Sequence, residues 1–321
     1  MKFKNIVKYI IINLFIFLIL LFLSEICLYK INAEKFAKTN CNFFMTTPFG
    51  YIISDPKIHK EDLRDYFTGD DNISKGRLPS GLEYSSKPIT VFGCSFAQGQ
   101  FLENNQTFSY KISEILKRPV YNRAVNGQGF QEMYYQSTLP EFYSDVPKSD
   151  TVIYIMIDDH YRRSYINNIS ILDRYFLLHY KIRNEELIYE QYKNPFMNFL
   201  KSLYTVKYAN LMYFEKYTDN PKNSDKITND ALLYFVKTRE NLEKKWGKIN
   251  FYVILYGKIR FKEELTKKLT DNGFIVIKTE DLTDADLEND TEYMLEDNGH
   301  PKEKVWNLLT PKIATIISGK K

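Results

Sequence analysis

Cysteine is scarce in this chain. Its 321 residues include three cysteines, Cys27, Cys41 and Cys94, and no two of them have the C-x-x-C spacing. Zinc sites and disulfide frameworks both need several cysteines at characteristic spacings. The sequence therefore indicates neither a metal site nor a disulfide scaffold.

The chain also lacks an excess of one charge over most of its length. The net charge is +4, and residues 1–38 account for all of it, with six lysines against Glu25 and Glu34. The remaining 283 residues carry 38 basic and 38 acidic side chains. Because nucleic-acid binding depends mainly on neutralising phosphates, a neutral body without a Lys/Arg stripe predicts no nucleic-acid partner.

Long apolar runs are missing except near the N-terminus. Residues 9–23 are apolar apart from Asn13, and residues 26–29 continue the run past Ser24 and Glu25. The unbroken part is short of the about 20 residues that a membrane span needs, but a helix that continues to residue 28 reaches that length. This pattern is typical of either an uncleaved signal anchor or a cleaved signal peptide.

The flanking residues favour the anchor. No small-x-small cleavage site follows the run, and the acidic Glu25 does not suit lipoprotein processing at Cys27. Three lysines precede the run, and basic residues there keep a short N-terminus in the cytoplasm. We therefore expect residues 1–33 to form a single-pass membrane anchor, with the rest of the chain on the periplasmic or extracellular side of the cytoplasmic membrane.

The remaining chain divides at residue 89. Residues 34–88 are polar and have no sustained period, which favours a stalk and an irregular segment that leads into the folded domain. From residue 89, apolar runs rich in β-branched residues alternate with helical patterns, as in βαβ units. The predicted strands are residues 89–93, 120–125, 151–157, 251–256 and 274–278, and the predicted helices are residues 108–116, 130–139, 231–245, 262–270 and 305–317.

These elements predict an α/β fold. Five parallel strands with flanking helices make a three-layer α/β/α domain over residues 89–321. Residues 160–228 are too long for one crossover and predict an insertion, helical around residues 171–180 and 195–214. An insertion beside the carboxyl ends of the strands would shape a substrate cleft.

A serine follows the first predicted strand. Residues 89–96 read Ile-Thr-Val-Phe-Gly-Cys-Ser-Phe, so the strand ends at Gly93 and presents Ser95. The carboxyl ends of parallel strands face the active crevice of an open sheet, where a serine can act as a nucleophile. Glycine and serine in such a turn also serve turn geometry or helix capping, so this segment alone does not establish catalysis.

An aspartate and a histidine share the loop before the last predicted helix, where residues 297–301 read Asp-Asn-Gly-His-Pro. A nucleophilic serine needs a base that titrates near neutral pH, and a carboxylate fixes the tautomer of that base. An Asx-type turn before a helix explains Asp297 without any chemistry, but it does not explain His300.

A glycine-containing segment follows the second predicted strand. Residues 122–129 read Asn-Arg-Ala-Val-Asn-Gly-Gln-Gly. Gly127 lets a backbone amide approach an oxyanion closely, although a turn that needs positive φ explains the glycine equally well.

These three segments, in this order and at these strand ends, resemble SGNH (GDSL-like) hydrolases over residues 88–317. The resemblance implies a flavodoxin-like SGNH fold, Ser95 as nucleophile, and Asp297 and His300 as the acid and base of its triad. It also implies an oxyanion hole made by the Ser95 and Gly127 amides and a third donor after the third strand. Such a reaction needs no metal and no organic cofactor.

The third donor departs from the family pattern. The family has an asparagine where this chain has Asp158, and an ionised carboxylate cannot donate a hydrogen bond. One solution is a protonated Asp158, buried next to Asp159. The other is an ionised Asp158 that pairs with Arg123, Arg163 or His160. We favour the ionised pair, because arginines are plentiful nearby and a neutral carboxyl at pH 7 demands deep burial.

The sequence thus predicts a serine esterase that hydrolyses acetyl or other short acyl groups on extracytoplasmic polysaccharide. Asn126, His160 and Arg163 are the candidate substrate-binding residues. An O-acyltransferase with the same triad would pass the acyl group to a sugar hydroxyl instead of water. A non-catalytic surface-binding or assembly protein is the third alternative, suggested by Asp158 and by the long insertion.

Overall fold

The computed structural model describes residues 9, 12–24, 26–27, 44–47, 50–53, 73–74, 79–125, 127–165, 180–189, 212–214, 216–295 and 299–319. Its central element is a five-stranded sheet in which every neighbouring pair of strands is parallel. The strands are β1 (Ile89–Gly93), β2 (Val120–Asn122), β3 (Thr151–Met156), β4 (Asn250–Leu255) and β5 (Ile275–Lys278).

The strand order is β2-β1-β3-β4-β5. The chain therefore moves outward from β1 to β2, returns to the other side of β1 for β3, and then continues in one direction. This order is that of flavodoxin-like folds, whose ligands bind at the carboxyl ends of the two strands where the direction reverses. In this chain those two strands are β1 and β3, so the crevice lies between the residues that follow them.

Helices cover both faces of the sheet. They are α1 (Ser95–Gln98), α2 (Phe108–Leu116), α3 (Phe130–Thr138), α4 (Pro140–Asp145), α5 (Asp159–Tyr165), α6 (Ser224–Trp246), α7 (Lys262–Asp271) and α8 (Glu303–Ile317). One core cluster joins the sheet to α3, α4, α6 and α7, and the other joins it to α1, α2 and α8. The five-stranded parallel sheet with helices on both sides confirms the predicted α/β architecture.

The central strand shows why both faces are covered. In β3, Tyr154 belongs to the first core cluster, whereas its neighbours Ile153 and Ile155 belong to the second. Successive side chains of a strand point to opposite faces, so a strand buried on both sides has a continuous apolar sequence. All six residues of β3 are buried accordingly.

The predicted elements of this sheet differ from the observed ones mainly at their ends. The second predicted strand is shorter than expected, because the side chain of Asn122 accepts a hydrogen bond from the Ala124 amide at 3.1 Å and turns the chain. The helix predicted at residues 231–245 starts seven residues earlier, at Ser224, so residues 224–228 belong to α6 and not to the insertion. The short helices α1 and α4 were not predicted.

The N-terminal part of the chain is described in pieces. Residues 12–24 are helical, and the remaining residues of the predicted anchor at 1–33, apart from 9, 26 and 27, lie outside the described residues. Among the helices that the structure describes, none combines the length and the apolar content needed to cross a bilayer. In the predicted stalk, three short strands form an antiparallel sheet that the sequence did not indicate: Phe44–Thr47, Gly50–Ile53 and Ile73–Ser74.

The predicted insertion is described only at its two ends and at a hairpin. Most of the two helical segments predicted at residues 171–180 and 195–214 lies outside the described residues. Tyr180, predicted as the end of a helix, instead begins a strand, and Tyr180–Arg183 pairs with Glu186–Tyr189. The two residues between these strands, Asn184 and Glu185, have φ values of 50° and 61°. Positive φ at both positions is the geometry of a tight type I′ hairpin turn.

Candidate active site

The turn between β1 and α1 places Ser95 at the crevice. Ser95 is the first residue of α1 and is 3% exposed. Gly93 has a φ of 146°, and a Cβ at this position would lie 2.7 Å from the Cβ of Ala97 and 2.8 Å from the carbonyl oxygen of Ile155. Only glycine fits this close approach of helix and strands. The Gly-Cys-Ser sequence therefore has a packing reason for its glycine, and the turn directs Ser95 to the carboxyl end of the sheet.

His300 meets Ser95 from the opposite end of the chain. The imidazole Nε2 lies 2.8 Å from the Ser95 Oγ, across a separation of 205 residues. The loop that carries His300 is held by the Leu295 amide, which donates to the His300 carbonyl at 2.8 Å, and by a bridge between Met294 and Pro301. The distance between the His300 Nε2 and the Ser95 Oγ is the one required for a base that takes the proton of a serine hydroxyl.

Two further predicted site residues, Asp297 and Asn126, lie outside the described residues. The roles predicted for them, orientation of His300 and binding of substrate, stay predictions.

Two phenylalanine rings lie against the imidazole of His300. The Phe96 ring centroid is 5.3 Å from it, and Phe96 in turn contacts Tyr256 edge to face at 5.3 Å. The Phe101 ring meets the imidazole almost perpendicularly, at 5.4 Å and 80°. Both rings pack against the imidazole, and the sequence motifs did not single out either of them.

The loop after β2 is tied by hydrogen bonds to the turn that carries Ser95. The Val125 amide donates to the Gly93 carbonyl at 3.1 Å, and the Asn122 Nδ2 donates to the Ala97 carbonyl at 2.8 Å. Gly127 follows with a φ of 73°, a backbone conformation that glycine adopts without strain. These bonds place the segment with Gly127 next to the Ser95 turn, on the side of the crevice where the sequence predicted an oxyanion donor.

Asp158 follows β3 as predicted, but its partner is not one of the three expected. Its Oδ1 accepts from the Arg260 amide and its Oδ2 accepts from the Arg260 Nε, each at 2.7 Å. The predicted pairing with Arg123, Arg163 or His160 is therefore wrong, because a residue after β4 supplies the cation. Both carboxylate oxygens act as acceptors, so Asp158 does not have the orientation of an oxyanion donor.

Arg260 also reaches the end of the insertion. Its NH1 donates to the Thr218 Oγ1 at 3.2 Å and forms an ion pair with Asp219. Arg260 thus links the residues that follow β3 and β4 to the segment that precedes α6. Sequence reasoning missed it, because nothing in the local sequence distinguishes it from the neighbouring lysines of the same loop.

Arg163, predicted to bind substrate, is bound to the loop that contains Gly127. Its NH1 donates to the Gln128 carbonyl at 2.9 Å, and its Nε donates to Asp159 at 2.7 Å. Burial alone would raise the pKa of Asp159, but the adjacent Arg163 and Arg162 guanidinium groups hold that pKa well below its ordinary value. Asp159 is therefore ionised and orients Arg163, which restrains the residue next to Gly127.

His160 has no access to a substrate, which corrects its predicted role. Its side chain is fully buried, with the Tyr154 hydroxyl 2.8 Å from its Nδ1 and the Phe130 ring perpendicular to it. Burial, together with the nearby Arg163 charge, holds the pKa of His160 well below its usual value, so the imidazole is neutral. The sequence could not reveal this, because α5 turns His160 toward the core and Asp159 away from it.

The chain was compared with protein-family models, with curated proteins and with solved structures, and only the solved structures gave matches. No protein-family model matches the sequence, and no curated protein matches it. One solved structure similar to the chain is a lipolytic protein of the G-D-S-L family from Veillonella parvula DSM 2008, with 12% identity over 73% of this chain and 99% of that one and a TM-score of 0.41. A second is an acetyl xylan esterase from the rumen bacterium Butyrivibrio proteoclasticus, with 8% identity over 74% of this chain and 64% of that one and a TM-score of 0.41. A third is a family two carbohydrate esterase from Clostridium thermocellum in complex with cellohexaose, with 9% identity over 73% of this chain and 64% of that one and a TM-score of 0.41.

Lipolytic G-D-S-L proteins and carbohydrate esterases are therefore among the solved structures that this chain is similar to, and its motifs resemble the same family. Identities of 8–12% and TM-scores of 0.41 do not show what reaction this chain catalyses. The chemistry rests on the geometry of Ser95, His300 and the loop with Gly127.

Proposed function

We propose that this protein is an SGNH-type serine esterase that hydrolyses acetyl or other short acyl esters. The observation that carries the proposal is the 2.8 Å contact between the Ser95 Oγ and the His300 Nε2 at the reversal point of a flavodoxin-like sheet. A buried serine paired with an imidazole, at the edge of the sheet where ligands bind, has the arrangement of an activated nucleophile.

The reaction proceeds in two acyl transfers. The Ser95 Oγ attacks the ester carbonyl carbon and gives its proton to the His300 Nε2. The tetrahedral intermediate then collapses, its bond to the alcohol oxygen breaks, and His300 returns the proton to that oxygen. Water attacks the acyl-enzyme next, with His300 again accepting and returning the proton, so that the acid leaves and Ser95 is restored. Asp297 is proposed to orient His300.

The oxyanion is proposed to accept hydrogen bonds from the backbone amides of Ser95 and Gly127. Asp158, whose oxygens both accept from Arg260, supplies no donor. A site with two amide donors lacks one of the three that the resemblance implied. Because removal of one donor typically costs about 10²–10³ in kcat, we expect a slow esterase.

The substrate class follows from the predicted location. Three lysines before the apolar run of residues 9–23 favour an anchored domain on the periplasmic or extracellular side of the cytoplasmic membrane, where acylated polysaccharide is found. We therefore propose an acylated carbohydrate as substrate. Protease added to intact spheroplasts should digest residues 34–321 if this location is right, and protection until lysis would contradict it.

A fluorophosphonate probe tests the proposed chemistry, because it reacts only with an activated serine. The full-length protein is expected to be labelled, and Ser95→Ala is expected to lose the label. His300→Ala should be labelled much more slowly, since attack then lacks its base. Ser144→Ala is the matched control, because Ser144 is exposed and its hydroxyl donates only a local bond to the Glu141 carbonyl. Equal labelling of the full-length protein and Ser95→Ala would refute the proposal.

A further inference from the structure

Phe101 combines an exposed ring with a strained backbone at the rim of the active site. Its side chain is 46% exposed, although it is a large apolar residue. Its φ is 68°, in the left-handed region that bulky residues rarely adopt. The residue that follows, Leu102, is buried and anchors the loop. The loop thus leaves part of an aromatic ring exposed at a position where glycine would be free of strain.

Strain of this kind points to a function. Residues held in sparsely populated backbone regions cluster at active sites and ligand clamps, where the surrounding structure imposes them. The ring of Phe101 lies edge to face against the imidazole of His300 at 5.4 Å. A side chain that served only to pack His300 would gain more from burial against the core, where the partly buried Phe96 packs while it also contacts the imidazole.

The position of the imidazole decides which part of an ester Phe101 meets. In the proposed reaction, the His300 Nε2 delivers its proton to the oxygen of the departing alcohol, which must lie within hydrogen-bond distance of it. The carbonyl oxygen points instead to the amides of Ser95 and Gly127. A ring in contact with the imidazole therefore borders the alcohol side of the ester and not its acyl side.

We propose that the exposed face of Phe101 forms the binding surface for the alcohol part of the substrate, and that it selects cyclic alcohols whose apolar C–H face can lie flat on the ring, as a pyranose does. The inference rests on the proposed esterase function. Aromatic side chains bind through a large apolar area with a defined face, which suits a sugar ring better than a small flexible alcohol.

The test compares two acetate esters that share the acyl group and differ in the alcohol. One is an O-acetylated methyl pyranoside and the other is ethyl acetate, and both are measured as kcat/KM with the full-length protein. Phe101→Ala is expected to lose about tenfold or more on the pyranoside ester and less than about threefold on ethyl acetate. Phe101→Tyr retains the aromatic face and is expected to retain the preference.

Phe101→Gly separates binding from folding. Glycine removes the ring and also the backbone strain, so this variant should be at least as stable as Phe101→Ala while it shows the same loss of selectivity. Leu82→Ala is the matched control, because Leu82 is 61% exposed and lies ahead of β1, at the opposite end of the sheet. It is expected to leave both rates unchanged.

The outcomes distinguish this inference from the proposed function. If the unmodified protein is not labelled by the fluorophosphonate probe, the esterase proposal itself fails. If it is labelled, two results would overturn the role of Phe101. One is an equal loss on both esters in Phe101→Ala, which would mean that the ring only supports His300. The other is an unchanged rate on the pyranoside ester.

Discussion

The Asp158 carboxylate accepts two hydrogen bonds from Arg260, one from the backbone amide and one from the Nε, each at 2.7 Å. This pair joins the ends of β3 and β4 on the crevice side of the sheet. It satisfies both carboxylate oxygens with donors, which is the arrangement of an ionised acid. We therefore propose a positioning role for Asp158, with the oxyanion donors of the proposed reaction on the backbone.

The first prediction concerns Asp158→Asn. We expect a loss of about 1 kcal/mol in the free energy of unfolding, because the pair is partly exposed and its charge-assisted bonds are discounted by solvent. Arg260→Gln should cost a similar amount, and the double variant should cost little more than either one. Urea unfolding of the four proteins measures this coupling. Fully additive losses would show that the two side chains do not act together.

The same variant distinguishes the two states that the sequence left open for Asp158. If Asp158 were a protonated donor, the asparagine amide would donate the same hydrogen bond without titrating. The kcat would then be unchanged, and the alkaline limb of the pH–rate profile would disappear. The geometry with Arg260 predicts instead that this limb is unchanged in Asp158→Asn. A pH–rate profile of both proteins on a short-chain aryl ester decides between these outcomes.

A second prediction concerns Arg163, which restrains the loop that contains Gly127 through the Gln128 carbonyl. Arg163→Gln is expected to lower kcat about tenfold or more with little change in KM, because a loosened Gly127 amide weakens transition-state stabilisation more than substrate binding. Asp159→Asn should reproduce part of the loss. The control is Arg239→Gln, since Arg239 also donates to a carbonyl, that of Asn272, ahead of β5 at the other end of the sheet. A rise in KM without a fall in kcat would restore the substrate-binding role first predicted for Arg163.

A third prediction concerns Glu132, a buried carboxyl on α3. Burial raises its pKa to about 7 from an ordinary value of 4.5, although a hydrogen bond from Gln136 and the charge of Arg123 both lower it. Between these two pH values the folded state binds more protons than the unfolded state, so Glu132 makes stability fall as the pH rises through this window. Glu132→Gln removes that contribution and should flatten the dependence, with a gain of about 1–3 kcal/mol above pH 7.

Urea unfolding at pH 5 and pH 8 measures the effect of Glu132. The matched control is Glu141→Gln, an exposed carboxyl on the neighbouring helix α4. The control should follow the pH dependence of the unmodified protein. If Glu132→Gln also followed it, the buried carboxyl would have no raised pKa in the folded protein.

Much of the sheet could be predicted because burial on both faces leaves a direct record in the sequence. The first strand was located at residues 89–93, its observed bounds, by a run of apolar and β-branched residues that ends at a glycine. Helices α2 and α7 were also located to within one residue, since each has an apolar face at helical spacing. Strand ends were harder to locate where a side chain, such as that of Asn122, takes the place of a neighbouring strand as the hydrogen-bond partner of the backbone.

What escaped prediction depends on contacts between distant segments. Arg260 is 102 residues from Asp158, and no spacing rule links the two. The hairpin at residues 180–189 has Asn184 and Glu185 in its turn, without the glycine that usually marks such turns. The burial of His160 depends on how α5 packs against Phe130, and a single polar residue in a short helix gives no sign of its direction.

The account rests on Ser95 and His300 acting as one catalytic unit, and a double-mutant cycle on kcat for p-nitrophenyl acetate tests it most directly. Ser95→Ala and His300→Ala are each expected to lower kcat by about 10³ or more, and the double variant should be scarcely worse than either, because removal of one member already disables the unit. Retention of more than about a tenth of kcat by Ser95→Ala, or losses that multiply in the double variant, would contradict it.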